Sequence, residues 1–166
     1  MAEAGFRPIV IERGSRVEKR TCDVQKFWES GILNPKSNVQ FGEGGAGTFS
    51  DGKLNTSVKD PSGRNRLVLE TFVRFGADPS ILYDNKPHIG TDVLSEVIVN
   101  MREFLVDKGA TFVFDTCVNN LDIVSQKLLS VYTDSDSNSN SEIKTDVCVL
   151  ALGHLSLIHI SEPTRH

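Results

Sequence analysis

The sequence predicts an α/β fold because short apolar runs typical of parallel strands alternate with stretches of helical periodicity. Residues 9–11 and residues 146–152 are almost continuously apolar, as strands buried on both faces of a sheet are. A polar stretch at residues 134–141 separates two further strands and indicates an antiparallel hairpin or meander. We therefore expect a parallel sheet with helices, together with a smaller antiparallel element.

The strand at residues 9–11 follows a segment that indicates the last turn of a helix. Gly5 would end that helix, and Pro8 could not continue it. A buried parallel strand needs a neighbouring strand, and the sequence does not obviously supply one. We therefore expect the domain to be incomplete at its beginning.

Three amphipathic helices are expected. The first covers residues 15–30 and ends near Gly31, and the second covers about residues 62–75. The third begins at a cap formed by Thr91 and Asp92 and ends at Gly109. The second helix should bury Leu67, Val68, Phe72 and Val73, and the third should bury Leu94, Val97, Ile98, Met101, Phe104 and Leu105.

The second half of the chain contains three further expected strands. They cover residues 111–118, 127–133 and 146–152, and the polar turn at residues 134–141 should be mobile. The domain is expected over residues 1–154, where it stops within the fold. Residues 155–166 back-translate to a transposase sequencing adapter, so we interpret them as read-through rather than native protein.

The composition argues against several classes of partner. A net charge of -4 offers no general attraction for nucleic acid or anionic lipid, and no apolar run is long enough to span a membrane. Cys22, Cys117 and Cys148 are odd in number and form no C-x-x-C pair. We therefore expect buried, inert thiols, without a disulfide framework or a metal site, and the cytoplasm as the default compartment.

Glu12, Arg13 and Gly14 follow the first apolar strand directly. An acidic residue in this position is typical of the second strand of a Rossmann-type dinucleotide-binding unit, where it accepts hydrogen bonds from the adenosine ribose. A carboxylate would repel a 2′-phosphate, so FAD or NAD is favoured over NADP. The plain alternative is a solvated Glu–Arg pair. The glycine loop that normally follows the first strand does not precede Glu12, which agrees with a domain whose first strand and phosphate loop are missing.

Residues 42–52, here called the glycine segment, contain five glycines in eleven positions. Glycine lacks a Cβ, so its backbone N–H group can approach a pyrophosphate or the edge of a flavin ring. A plain surface loop is the alternative interpretation. The glycine segment is nevertheless the most informative part of the sequence.

Three motifs together resemble one known family. The run Asn-Val-Gln-Phe-Gly-Glu-Gly-Gly-Ala-Gly-Thr-Phe-Ser-Asp-Gly-Lys-Leu-Asn-Thr at residues 38–56 is followed by Lys-Pro-His-Ile-Gly-Thr-Asp at 86–92 and Ala-Leu-Gly-His at 151–154. Over residues 1–154 the chain resembles the uncharacterised FAD-dependent dehydrogenase family of bacteria and plastids. The resemblance implies an FAD-dependent oxidoreductase of the glutathione-reductase-like class, in the cytoplasm or, for a plant or alga, in the plastid.

The resemblance also implies roles for individual residues. Glu12 and Arg13 would lie against the adenosine, the backbone of Val118 would pair with adenine, and residues 151–153 would pass close to the cofactor. The pyrophosphate and flavin would be lined by Gly44, Gly45, Ala46, Gly47, Thr48, Ser50, Asp51, Gly52 and Lys53. The flavin would transfer two electrons at N5, with Lys53 or loop amides stabilising N1.

Other interpretations remain open at this level. His88 is a candidate proton donor towards the unknown substrate or electron partner, or a residue that satisfies loop and helix-cap hydrogen bonds. Lys53 is alternatively a solvated loop lysine. The whole protein is alternatively a non-catalytic flavin- or nucleotide-binding module, or an NAD-dependent dehydrogenase. Without a phosphate loop, residues 1–154 alone should bind FAD weakly or not at all and should be inactive.

Overall fold

The computed structural model describes residues 1–54, 60–135 and 138–152, with the backbone alone at 135 and 138–140. The chain divides into two compact units, Met1–Cys117 and Val118–His166. The first unit is mixed α/β and contains a parallel sheet, and the second contains an antiparallel sheet. The expectation of a mixed α/β chain with an antiparallel element is confirmed.

The described part of the first unit contains three helices, two short strands and three 3-10 turns. Strand β1 (Ile9–Ile11) is followed by α1 (Val17–Ser30), α2 (Arg64–Arg74), α3 (Thr91–Asp107) and strand β2 (Thr111–Val113). The 3-10 turns cover Ala2–Ala4, Ala46–Phe49 and Pro79–Leu82. None of the helices in the described ranges is long and apolar enough to cross a membrane.

The parallel sheet pairs β1 with β2, in the register Ile9 to Thr111 and Ile11 to Val113. The expectation that residues 9–11 have no obvious partner strand is therefore wrong, because β2 lies beside them. The expected burial is also wrong, since Ile9 is 48% and Val10 is 38% exposed. The apolar composition of β1 predicted a strand in the interior of a sheet. In the described residues this sheet has two strands, so β1 has a neighbour on one edge only and its side chains stay partly exposed.

The three helices lie close to the ranges that the spacing of their apolar residues predicted. Helix α1 ends where Gly31 adopts φ +70° and donates its N–H to Phe27 O at 2.8 Å. Gly109 has φ +88° just beyond α3, as expected for a helix stop. The start of α3 differs from the expectation, because Gly90 is the N-cap and no side chain caps the helix.

The core of the first unit lies between α2, α3 and the loop that joins them. Its buried members are Ala77, Ile81, Ile89, Leu94 and Val97, and Phe72 and Val73 of α2 pack against it. Each buried Ile, Leu or Val side chain contributes about 1.5–3 kcal/mol. Leu67 and Val68, which were expected inside, are 62% and 50% exposed, because only one face of α2 meets the core.

The strand expected over residues 111–118 is two strands, β2 and β3 (Thr116–Val124). The break falls at Asp115, which has φ +52° and donates its N–H to Gly14 O at 3.0 Å. Aspartate tolerates the left-handed region better than most residues, so a bend can form there. Val118 therefore lies in β3 and in the second unit.

The second unit contains the three-stranded sheet β3–β4–β5, with β4 at Lys127–Ser135 and β5 at Asn138–Lys144. Ser125 and Gln126 both have positive φ, as the central residues of a tight hairpin turn do. The antiparallel pairing of β4 and β5 extends to Ser135 and Asn138. The polar stretch 134–141 is thus mostly strand rather than turn, and the expected mobile tip at 136–137 lies outside the described residues.

The expectation of a strand at residues 146–152 is wrong. These residues belong to no strand, and Val147, Val149 and Leu150 are each more than 60% exposed. An apolar run becomes a strand only when a neighbour accepts its backbone hydrogen bonds, and among the described residues this run has no strand partner. Gly153, His154 and residues 155–166 lie outside the described ranges.

Candidate functional site

The first unit contains a cavity of about 450 Å³ between the β1–β2 sheet, helix α3 and the glycine segment. The strands contribute Val10 and Phe112, the residues directly after them contribute Glu12 and Phe114, and α3 contributes Leu94, Ile98, Met101, Arg102 and Leu105. The glycine segment contributes Glu43, Gly44, Gly47, Ser50 and Gly52, and Lys53 and Leu54 follow it. A mainly apolar wall with a few polar groups, at this volume, is typical of a site for a small organic ligand.

The cavity brings together six of the residues expected at the site. Glu12 lines it together with Gly44, Gly47, Ser50, Gly52 and Lys53. The other five expected residues of the first unit, Arg13, Gly45, Ala46, Thr48 and Asp51, do not line it. Val118, Ala151 and Leu152 belong to the second unit, and Gly153 lies outside the described residues.

Glu12 is half-buried, and its side chain is held by its own turn. Oε1 accepts a hydrogen bond from the Gly14 N–H at 2.7 Å, while the Glu12 backbone continues the parallel ladder to Val113 O at 2.9 Å. In the described part of the chain, Oε2 makes no hydrogen bond. The arrangement fixes the carboxylate at the end of β1 and leaves one oxygen to accept from a ligand.

The glycine segment contains two different kinds of glycine. Gly44 has φ +85°, and a Cβ there would overlap Thr48 Oγ1, so the protein itself requires glycine at this position. Gly47 lacks a positive φ, and a Cβ there would meet nothing within 4 Å. Because the fold does not explain Gly47, its open side is the place where a ligand could approach the backbone.

The letters at residues 42–47 fit the spacing G-x-G-x-x-G, which sequence reasoning did not single out. The structural context differs from that of a dinucleotide fingerprint, because the element before these residues is helix α1 rather than a strand, and a 3-10 turn rather than an α-helix follows directly. The Gly44 and Gly47 amides, however, donate no hydrogen bond within the described ranges. Because both residues line the cavity, their amides are candidate donors to a ligand.

A buried ionic network missed by sequence reasoning joins the glycine segment to α1 and α3. Glu43 Oε2 accepts from the Val17 N–H at 2.8 Å and from Arg102 Nη1 at 2.6 Å. Arg102 also binds both carboxylate oxygens of Glu18. Burial raises the pKa of Glu43, whereas the hydrogen bond from Arg102 lowers the pKa of Glu18. The N-terminus of α1 is thus already satisfied by a carboxylate.

Lys53 forms an exposed ion pair with Asp51. Their Nζ and Oδ2 atoms are 2.7 Å apart, and each side chain is more than 60% exposed. The hydrogen bond raises the pKa of Lys53 and lowers the pKa of Asp51. Lys53 therefore has the surroundings of a solvated loop lysine, although it also borders the cavity.

The motif at residues 86–92 lies directly beside the glycine segment. The Ile89 N–H donates to Gly52 O at 2.9 Å, and the Leu54 N–H donates to Pro87 O at 3.0 Å. A Cβ at Gly52 would overlap Ile89 O, so close backbone pairing requires that glycine. His88 is exposed and does not line the cavity.

Arg20 is a second buried cation that the sequence reasoning did not identify. It lies on the buried stripe of α1 with Val17 and Val24, and it is 0% exposed. The sequence signal was available, because a charged residue at helical spacing between two buried valines is unusual. In the described residues, the hydrogen-bond acceptors of its side chain and the ring beneath its guanidinium lie in residues 38–49.

The thiols differ from the expectation of burial. Cys22 and Cys148 are exposed, and Cys117 is partly exposed. Cys22 lies on the solvent side of α1, and Cys148 lies in the segment that forms no strand.

No protein-family model matches the chain. A protein of Clostridium beijerinckii, described as "Uncharacterized protein", is 44% identical to it over 156 residues. That similarity covers 94% of this chain and 28% of the Clostridium protein. The chain therefore spans little more than a quarter of the length of this relative.

Proposed function

We propose that the chain is part of an FAD-dependent oxidoreductase and that its first unit supplies part of the dinucleotide site. The observation that carries this proposal is that Glu12, at the end of β1, lines the same cavity as the glycine segment. An acid at a strand end and amide-rich turns are the features that hold the ribose and the diphosphate of dinucleotides.

We further propose that the first unit has a Rossmann-like fold. Strands β1 and β2 run parallel, α1 follows β1, and Glu12 lies at the carboxyl end of β1, where open parallel sheets bind ligands. Within the described ranges, no strand pairs with the other edge of β1, which leaves Ile9 and Val10 partly exposed. A strand from a longer polypeptide would pair with this edge and bury them.

Glu12 would recognise the adenosine ribose. The Gly14 N–H holds Oε1, so Oε2 can accept from a ribose hydroxyl without a change of rotamer. The negative charge would repel a 2′-phosphate, which supports FAD or NAD over NADP.

Backbone amides rather than side-chain cations would hold the diphosphate. Both cations that line the cavity in the described part of the chain are already paired, Arg102 with two glutamates and Lys53 with Asp51. The Gly44 and Gly47 amides are not, and they can donate to phosphate oxygens. FAD supplies the two-electron chemistry when bound, while the residues of this chain bind and orient it.

We expect weak affinity of the chain for FAD. The N-terminus of α1, which could attract a phosphate, is occupied by the Glu43 carboxylate at the Val17 N–H. A dissociation constant above about 1 µM is therefore expected in a titration monitored by flavin absorbance or calorimetry. Sub-micromolar binding would contradict this expectation.

The role of Glu12 is tested by Glu12→Gln, with Glu29→Gln on the exposed side of α1 as the matched control. The amide keeps an acceptor for the Gly14 N–H but loses the charge, so FAD binding should weaken about tenfold or more. Glu29→Gln should leave the dissociation constant unchanged. Equal effects of the two variants would remove Glu12 from the site.

The role of the amides is tested by comparing two glycine variants. Gly47→Ala should fold with unchanged stability and bind FAD more weakly, because its Cβ enters only open space at the cavity. Gly44→Ala should instead lower the midpoint of thermal unfolding, since it combines a positive φ with an overlap. Unchanged FAD binding by Gly47→Ala would show that no ligand approaches that backbone.

The proposal as a whole is tested with the chain and with the longer Clostridium relative. Absence of any FAD binding by the chain at about 1 mM, with no flavin released from the purified relative, would overturn it. Binding of NAD without FAD would favour an NAD-dependent dehydrogenase. Bound FAD that no electron donor reduces would favour a non-catalytic module.

A further inference from the structure

Arg20 is enclosed by a single stretch of the chain that ends in the glycine segment. Its Nε donates to Asn38 O at 2.7 Å, and its Nη1 donates to Glu43 O at 2.7 Å and to Gly42 O at 3.4 Å. Its guanidinium also lies 4.8 Å from the centroid of the Phe49 ring. One side chain of α1 therefore contacts both ends of residues 38–49.

The close approach of Arg20 to the backbone at position 42 requires a residue without a Cβ. Gly42 has φ +121°, and a Cβ there would lie 2.6 Å from Arg20 Cδ and 3.1 Å from Nε. Any other residue would push the arginine out of its position or move the turn. Arg20 and Gly42 are thus two parts of one local arrangement.

Burial of this cation has an energetic cost that apolar packing would not have. All three acceptors are neutral carbonyl oxygens, and within the described ranges Nη2 has no hydrogen-bond partner. Burial lowers the pKa of Arg20 to about 10, and the charges of Glu12 and Glu43 oppose that shift. A buried cation retained at such a cost indicates a role beyond filling space.

We propose that Arg20 is a positioning residue that holds residues 42–49 in the conformation in which Gly44 and Gly47 line the cavity with amides that are unpaired over the described ranges. Its hydrogen bonds fix the carbonyls of Gly42 and Glu43, and its stacking on Phe49 fixes the far end of the turn. The donors are then oriented before a ligand arrives, which reduces the entropy lost on binding. The identity of that ligand rests on the proposed function, but the conformational effect does not.

Hydrogen exchange of the full chain tests the conformational effect without any ligand. The reporter amides are Glu43, Gly45 and Ser50, which donate to Ser15 O, Gly42 O and Gly47 O. In Arg20→Met these amides should exchange about tenfold faster or more, while α3 is unaffected. Arg20→Lys keeps the charge but cannot reach all three carbonyls, so it should give an intermediate rate. Lys26→Met, an exposed substitution on the same helix, is the matched control.

The outcomes are distinguishable even when one variant is unstable. If circular dichroism shows that Arg20→Met does not fold, Arg20→Lys decides the question. Faster exchange confined to residues 38–50 supports the proposal, and exchange equal to that of Lys26→Met, or raised uniformly along α1, overturns it.

Flavin titration of the same variants separates this inference from the proposed function. When the wild-type chain binds FAD, Arg20→Lys should weaken binding severalfold, whereas Lys26→Met should leave it unchanged. When the wild-type chain binds no FAD and the purified relative releases no flavin, the flavin proposal fails, and the exchange experiment still decides the role of Arg20.

Discussion

Two ion pairs lie near the two ends of the glycine segment, and they differ in burial. Glu43 and Arg102 are joined at 2.6 Å with side chains 9% and 11% exposed, whereas Asp51 and Lys53 are joined at 2.7 Å with both largely exposed. The distances are nearly equal, so distance alone says little about stability. Water screens the second pair and is mostly excluded from the first.

The buried pair is also the one with structural partners. Glu43 caps the N-terminus of α1 through Val17, and Arg102 links α3 to α1 through Glu18. Loss of one member leaves a buried charge or an unsatisfied helix terminus, whereas loss of Lys53 leaves a solvated aspartate. We therefore expect the effects of substitution to differ strongly between the two pairs.

The largest effect is expected for Arg102→Met. Removal of this guanidinium leaves Glu43 buried without its cation, which should lower the free energy of unfolding by about 3 kcal/mol in urea denaturation. The exposed i,i+4 pair of Arg66 and Glu70 provides the control, because Arg66→Met removes a cation of the same type from solvent. Equal losses in the two variants would show that burial does not distinguish these pairs.

A smaller and pH-dependent effect is expected for Glu43→Gln. The amide oxygen of the new side chain can still accept from the Val17 N–H, and Arg102 stays paired with Glu18. This variant should therefore lose less stability than Arg102→Met. Burial raises the pKa of Glu43, so its contribution is full below the unfolded pKa and is lost as the pH rises through the raised value. Wild type should therefore lose more stability than Glu43→Gln as the pH rises above the ordinary carboxyl pKa of 4.5.

Glu18 provides the opposite pH dependence within the same network. Arg102 lowers its pKa, so its contribution is present above the unfolded pKa and is lost as the pH falls through the lowered value. Urea denaturation of Glu18→Gln across the acid range should show a flatter decline than wild type. A decline identical to that of wild type would remove Glu18 from the acid transition.

The smallest effect is expected for Lys53→Gln. Both members of its pair lie in solvent, so the urea midpoint should remain within experimental error of wild type at any salt concentration. A clear loss of stability would mean that the end of the glycine segment is less solvated than its exposure indicates. Unchanged FAD affinity in this variant would also argue against Lys53 as the group near flavin N1.

Local sequence patterns predicted the helices and the presence of an antiparallel element but not the strand partners. Helix α1 could be predicted because the spacing of its apolar residues and the glycine that ends it, Gly31, are local features of the sequence. Residues 9–11 and 146–152 carry the same apolar signature, yet the former pair with β2 and the latter form no strand. Strand pairing depends on a neighbour far along the chain, which no local window contains.

The candidate site was predictable where a residue type has a special conformational or chemical property. Glu12 and the glycine segment were identified from an acid at a strand end and from clustered glycines, and both line the cavity. Arg102 and Glu43 were missed because they are 59 positions apart and carry no mutual signal. Arg20 was missed although it lies at helical spacing between Val17 and Val24, because a single arginine on a helix is usually a surface residue.

The sequence by itself determined the helices, the acid at the end of β1 and the glycine-rich turn, because each depends on backbone freedom or spacing within a few residues. Only the tertiary structure decided that Glu12 and the glycine segment share a cavity, and that Glu43 rather than a ligand occupies the start of α1. The physical reason is range: conformational preferences act between neighbours in sequence, whereas burial and charge pairing act between residues that meet only after the chain has folded.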